Sequence, residues 1–348
     1  MRSYTRNNAG ADSLLVCVAA WSSGAVGAES TAPPCGGMAH TQQVTRGAHE
    51  PTGSEFVRQI ASLSDDERES AILDQALRGN FPTFLSRAEP VRLTGRAGDG
   101  SAVTITLCVA PDYLAIGSDT DYLYVPMRLK TAITVANHYD SLLPTRRMVD
   151  AIYAQAQVHL APQPLPAGDT MRTTGYYWHH SELVREQRAS FDAPPGALTA
   201  GDKKDLVLTN RSWSYLERVA IYGWHLPSGA PIQPLSTVHG ARYADYSHGV
   251  RLVSAVAYVN GVARSLLQLL QDPRLARVVS DEGVIRNAGE LLRTLQSRVL
   301  SSARGDGRAT HEIKEIPVIG ETQETRGQLG TAALPIDLTH AFNEMLHE

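Results

Sequence analysis

Residues 90–110, PVRLTGRAGDGSAVTITLCVA, decide the fold. Val103, Ile105, Leu107 and Val109 alternate with Thr104, Thr106 and Cys108, the period of two that marks a strand with one buried face. The run GRAGDG separates this strand from PVRLT with residues that favour tight turns, so the two strands lie antiparallel. PDYLAIG and DYLYVPM repeat the arrangement around Ser118-Asp119-Thr120-Asp121. The two aspartates read as turn residues bonding the local backbone; a cation or sugar hydroxyls are the alternative ligand.

Helical patterns flank these strands. Phe56, Ile60 and Leu63 are spaced for one helix. Ser64 followed by Glu67 is a capping box for a second, which runs to Leu77 and stops at Gly79-Asn80. Leu129, Ala132, Ile133 and Ala136 mark a third helix. Thr145 caps a fourth, with Met148, Val149, Ile152, Tyr153 and Ala156 on one face. Arg146 and Arg147 sit in its first turn against the helix dipole, either solvated or facing an anion. Residues 161–202 read as a long loop with one short helix, Ser181 to Arg188. Residues 203–225 read as two strands, KKDLVLTN and RVAIYGWH, and residues 254–304 as helical, with Val256, Val259, Val262, Leu266 and Leu270 in one stripe and Ile285, Leu291, Leu292, Leu295 and Val299 in another. The expectation is an α+β fold, a mainly antiparallel sheet with helices packed against it around a single core over residues 54–304.

The 348 residues, 43% hydrophobic and 20% charged, are enough for a sizeable core. A net charge of -4 without a dense basic stretch speaks against nucleic acid as a partner. No run is apolar and long enough for a transmembrane segment. Residues 1–28 read as a signal peptide: Arg2 and Arg6, an apolar run from Leu14 to Trp21, and Val26-Gly27-Ala28 at the cleavage site. A secreted or periplasmic protein follows, and the alternative is a plain N-terminal extension. Residues 29–53 read as a flexible linker and residues 305–348 as a weakly patterned C-terminal segment with a short helix at Asp337 to His347. Of the three cysteines Cys17 would leave with the signal, while Cys35 and Cys108 either pair in an oxidising compartment or remain free.

The chemistry concentrates in residues 231–254, PIQPLSTVHGARYADYSHGVRLVS, read as a polar loop between a strand and a helix. His239-Gly240 and His248-Gly249 bracket Tyr243, Asp245, Tyr246 and Ser247, and Arg251 follows. Three readings compete. His239 can act as a general base, oriented by Asp245 or Tyr243, on a Ser247 nucleophile, with Arg251 stabilising an oxyanion. His239, Asp245 and His248 can bind a divalent metal such as zinc, with or without His180. Or the groups bind a carboxylate or sugar without catalysis. Tyr176, Tyr177, Trp178 and His180 in the long loop suit a second wall that stacks on substrate rings, joined by Tyr243 and Tyr246.

Val238-His239-Gly240 and Ser247-His248-Gly249-Val250-Arg251 resemble the His-Gly and Ser-His-Gly-Cys elements of the L,D-transpeptidases, which cross-link peptidoglycan through a cysteine. The cysteine that should follow Gly249 is absent, so the thiol chemistry does not carry over; what the resemblance implies is a cell-envelope substrate. The function expected is a secreted hydrolase acting on an extracellular or cell-wall polymer through residues 239–251, and the alternative a non-catalytic glycan- or peptide-binding protein.

Overall fold

The structure is a computed structural model and describes Cys35 and residues 46–298. In chain order the helices are α1 (Gly53–Ile60), α2 (Asp65–Leu77), α3 (Leu129–His138), α4 (Arg146–Gln155), α5 (Thr174–Ala189), α6 (Leu266–Leu269), α7 (Ala276–Val279) and α8 (Ala288–Arg298). The strands are β1 (Glu89–Arg96), β2 (Ala102–Val109), β3 (Ala115–Gly117), β4 (Tyr122–Tyr124), β5 (Ser141–Leu142), β6 (Val158–His159), β7 (Thr199–Ala200), β8 (Lys204–Leu206), β9 (Ile221–His225), β10 (Pro231–Ser236), β11 (His248–Gly249), β12 (Val253–Val259) and β13 (Val262–Ser265).

The β1–β2 hairpin nucleates the main sheet, order β1-β2-β12-β13, with β5 also paired to β12. Gly100 turns the hairpin at φ 84°, and Asp99 Oδ1 accepts from Ser101 N at 3.0 Å. All pairings in this sheet are antiparallel. A second sheet, β10-β9-β8-β11, is antiparallel except where β11 runs parallel to β8. The sheets share one hydrophobic core that runs from Phe56 and Ile60 on α1 through Val91, Ile105 and Leu107 to Leu291 and Leu295 on α8. The fold is therefore α+β with one core, as the alternation in 90–110 predicts.

The capping box at Ser64 is in place: its Oγ accepts from Glu67 N, and the Glu67 carboxylate accepts from Ser64 N at 2.9 Å. Thr52 and Glu55 form a second at α1. Thr145 caps α4 as expected. Its arginines face no open anion site: Arg146 pairs with Asp281, and Arg147 Nε donates to Val278 O at 2.9 Å. Asp121 accepts from Ser54 N at 3.0 Å and Ser54 Oγ at 2.7 Å, while Asp119 accepts from Thr83 N at 2.5 Å and Thr83 Oγ1 at 2.7 Å. Neither carboxylate thus bonds the backbone of its own turn as expected: they tie the β3–β4 turn to the start of α1 and to Thr83, segments 67 and 36 residues away.

Three further expectations need correction. The stripe Val256, Val259, Val262 is not helical but lies in the β12–β13 hairpin. Asn260 at φ 48° and Gly261 at φ 84° form its tight turn, an Asn-Gly signal that outranks the helical spacing. Val256 and Val262 are 44% and 61% exposed while Val253 and Ala257 are buried, so the expected stripe does not face the core. Second, the long loop contains a 16-residue helix, α5, capped by Thr173, so Ser181 sits in its middle. Its buried stripe is Thr174, Tyr177, His180, Ser181 and Val184; three of these five are polar, so it carries little hydrophobic periodicity. Third, the stretch 231–254 joins strands β10, β11 and β12 rather than a strand and a helix.

Cys35 and Cys108 form a disulfide. The signal-peptide reading, Val299 and the expected helix at 337–347 lie outside the described residues. Among the described residues no helix is long and apolar enough to cross a membrane.

Candidate functional site

The loop after β10 turns back against α2 and the 3₁₀ turn Asp169–Arg172. Arg242 Nη2 donates to both oxygens of Asp66 at 2.7 Å, and Arg128 pairs with the same carboxylate. These two hydrogen-bonded guanidiniums lower the Asp66 carboxyl to about 2. Tyr246 N donates to Met171 O, and the Tyr177 hydroxyl donates to Ala244 O at 2.8 Å. The loop is clamped from outside by ion pairs and from inside by α5.

Within this frame Asp245, Ser247 and His248 are buried. Ser247 places both its donors on one oxygen: N and Oγ reach Asp245 Oδ1 at 2.8 and 2.6 Å. The other oxygen, Oδ2, stands 4.0 Å from His248 Nε2. Burial opposes ionisation of Asp245, but His248, Lys204 and the Ser247 bonds outweigh it and hold the carboxyl below its ordinary range. Burial drives His248 the other way, down to about 4, against the pull of Asp245 and with help from Lys204 and His239. His248 is therefore a neutral imidazole at neutral pH, and neither ring nitrogen has a hydrogen-bond partner.

His239 and His248 come together. Their ring centroids are 6.0 Å apart, and Tyr243 lies against both, stacked on His239 at 4.3 Å and edge-on to His248 at 5.7 Å. His239 and Tyr243 are half-buried, the outer members of the group. Tyr243 also lines a cleft of about 590 Å³ whose walls include Arg68, Met171 and Arg172, and the Arg172 guanidinium sits over its ring at 5.7 Å. Tyr243 thus joins the cleft wall to the two imidazoles, with His239 on its face and His248 in edge contact.

Other expected residues take different places. Arg251 is fully buried and donates to Ala110 O and Thr199 O at 2.8 and 2.7 Å, joining the strands that cradle the site. His180 is buried beside Tyr246, with ring centroids 4.9 Å apart. Tyr176 packs on Tyr246, whereas Trp178 turns to another face of α5 and lies against Arg185 at 4.8 Å. The row Tyr176-Tyr177-Trp178 is therefore not one wall, because consecutive residues of a helix point about 100° apart. The grouping of His239, Asp245 and His248 as a metal centre also needs correction: among the described residues no three His, Cys, Asp or Glu side chains are placed to hold an ion.

A buried ionic seam behind the loop went unread. Lys203 Nζ bonds His180 Nδ1 at 2.9 Å and Tyr246 O at 2.7 Å. Burial lowers Lys203 to about 8 although Asp202 and Asp245 work against this, and lowers Lys204 as well. Burial, reinforced by Asp112, raises Asp202 to about 7. Asp205 is raised to about 6 by burial and accepts from the Tyr113 hydroxyl at 2.7 Å. Trp224, buried at φ 55°, carries the strain of a left-handed non-glycine residue beside Lys204, whose Nζ is 4.9 Å from its ring. The signal was present in GDKKDL: four charged residues in a row flanked by apolar strands. The expectation of a strand from Lys203 fits β8, but strand alternation does not tell that all four charges are buried.

No protein-family model, no curated protein and no solved structure matches this chain, the L,D-transpeptidases included.

Proposed function

We propose that the protein is a secreted hydrolase acting on an extracellular or cell-wall polymer, with His248 and Asp245 as its acid–base pair. The observation that carries this reading is a neutral, hydrogen-bond-free imidazole 4.0 Å from an ionised, fully buried carboxylate. Such a pair takes a proton from water as the water attacks a scissile bond and returns it to the leaving group, while the carboxylate stabilises the imidazolium formed between. Tyr243, on the cleft wall, meets the substrate, and His239 stacks on it. Ser247 is a positioning residue, because its hydroxyl proton is committed to Asp245. Arg251 braces the strands. Secretion is supported by Arg2, Arg6 and the apolar run to Trp21, and by a disulfide of the kind oxidising compartments maintain.

The test is release of soluble fragments from insoluble peptidoglycan and extracellular polysaccharide. His248→Gln is expected to lower release about 10²–10⁴-fold with co-sedimentation on the polymer unchanged. Ser247→Ala should retain most of the turnover; complete loss would make it the nucleophile. If the wild-type protein sediments with a polymer but releases nothing from any, the half-exposed Tyr243–His239 stack is a binding platform and the protein is not a hydrolase.

A further inference from the structure

A second cleft, of about 330 Å³, lies at the C-terminal end of α5, between Arg185, Arg188 and Ala189 of that helix, the β3–β4 turn and residues 193–199. Its volume falls in the range of small-ligand pockets, about 300–1,000 Å³. Most of its polar groups are already used. Asp119 has both oxygens on Thr83. Asp112, at the buried floor, accepts from Tyr113 N and the Tyr124 hydroxyl, each at 2.7 Å. Arg188 braces the far wall through the carbonyls of Ala193 and Pro194.

Arg185 is the exception. Its guanidinium lies over the rings of Trp178 at 4.8 Å and Tyr122 at 5.5 Å, which hold the plane in place without using a donor. Its Nη1 makes a long ion pair with Asp121 Oδ1, at 3.9 Å and beyond hydrogen-bond reach, and its Nε is shut from solvent with no hydrogen-bond partner. A pre-positioned guanidinium whose two Nη groups still have donors to give suits a planar carboxylate, which it takes through two parallel bonds. The two carboxylates in the lining, Asp112 and Asp119, oppose a dianion such as phosphate. Beside the fork, Phe84 and Tyr122 meet edge-to-face at 5.4 Å and offer an apolar wall.

We propose that this cleft binds a small monocarboxylate with an apolar or aromatic arm, its carboxylate on Arg185 and its arm against Tyr122 and Phe84. The proposal is independent of the hydrolase reading, since none of these residues belongs to the His248 site.

Calorimetry and ligand-observed NMR with the full chain test it, using benzoate as probe, benzyl alcohol as its uncharged counterpart and inorganic phosphate as the dianion. Benzoate should saturate one site and bind at least tenfold more tightly than either comparator. Arg185→Gln should weaken benzoate at least tenfold. Ala189→Phe, which fills the cleft from an exposed helix position and leaves every charge in place, should do the same. Circular dichroism confirms that each variant is folded. The proposal is overturned if benzoate does not saturate, if benzyl alcohol or phosphate binds as tightly as benzoate, or if either folded variant binds benzoate within twofold of the wild type.

Discussion

A single histidine shows how burial alters chemistry that the sequence leaves neutral. His248 is written like His239, each followed by glycine, yet one is buried beside a carboxylate and the other stacks, half-buried, on Tyr243. Lowering its pKa from 6.5 to about 4 makes His248 an energetic liability in acid. The folded state binds this proton less readily than the unfolded chain does. The stability it contributes is thus complete above pH 6.5 and is lost as pH falls to about 4, in total about 3 kcal/mol. Thermal melts from pH 7 to pH 4 should show His248→Gln losing less stability across that window than the wild type. Parallel curves would mean that the imidazole is not buried as described.

At the scale of elements, the site depends on the two-residue strand β11 running parallel to β8, His248 opposite Lys204 and Gly249 opposite Asp205. Gly249 is there for space. A Cβ at this position would stand 2.6 Å from the Tyr113 ring and 2.7 Å from Lys203 Cβ. Gly249→Ala should therefore force the strands apart and cost about 1–3 kcal/mol, read as a shift of the urea midpoint, together with loss of any activity that needs His248. An unchanged midpoint would show that Tyr113 moves aside freely. Helix α5 makes the complementary point. Its inward stripe carries Tyr177, His180 and Ser181, and these bond the central loop, Lys203 and Tyr124 N. A helix whose buried face is built for hydrogen bonds has little hydrophobic period, and its sequence therefore resembles a loop.

For the molecule as a whole, the disulfide ties Cys35 to Cys108, 73 residues further on, in β2, an inner strand of the main sheet. Closing a loop of that length removes conformational freedom from the unfolded chain and is worth about 2–4 kcal/mol. Reduction, or the Cys35→Ser and Cys108→Ser double variant, should lower the melting temperature without changing the far-ultraviolet circular dichroism. A melting temperature unaffected by reductant would show that the bond does not form in solution.

The sequence by itself determined the β1–β2 and β3–β4 hairpins, the helices α1 to α4 and the caps at Ser64 and Thr145, because alternation, spacing and capping act over a few residues. It also singled out residues 239–251. What only the tertiary structure decided is which of those groups share a site. Ser247 turns to Asp245, Arg251 turns to the carbonyls of Ala110 and Thr199, and Trp178 turns to Arg185. Lys203, Asp202 and Asp205 are buried behind His248, although charged residues at the start of a strand read as exposed. Those choices rest on contacts between residues distant in the chain and on how much water the fold excludes around each charge, and neither quantity is written in any local pattern.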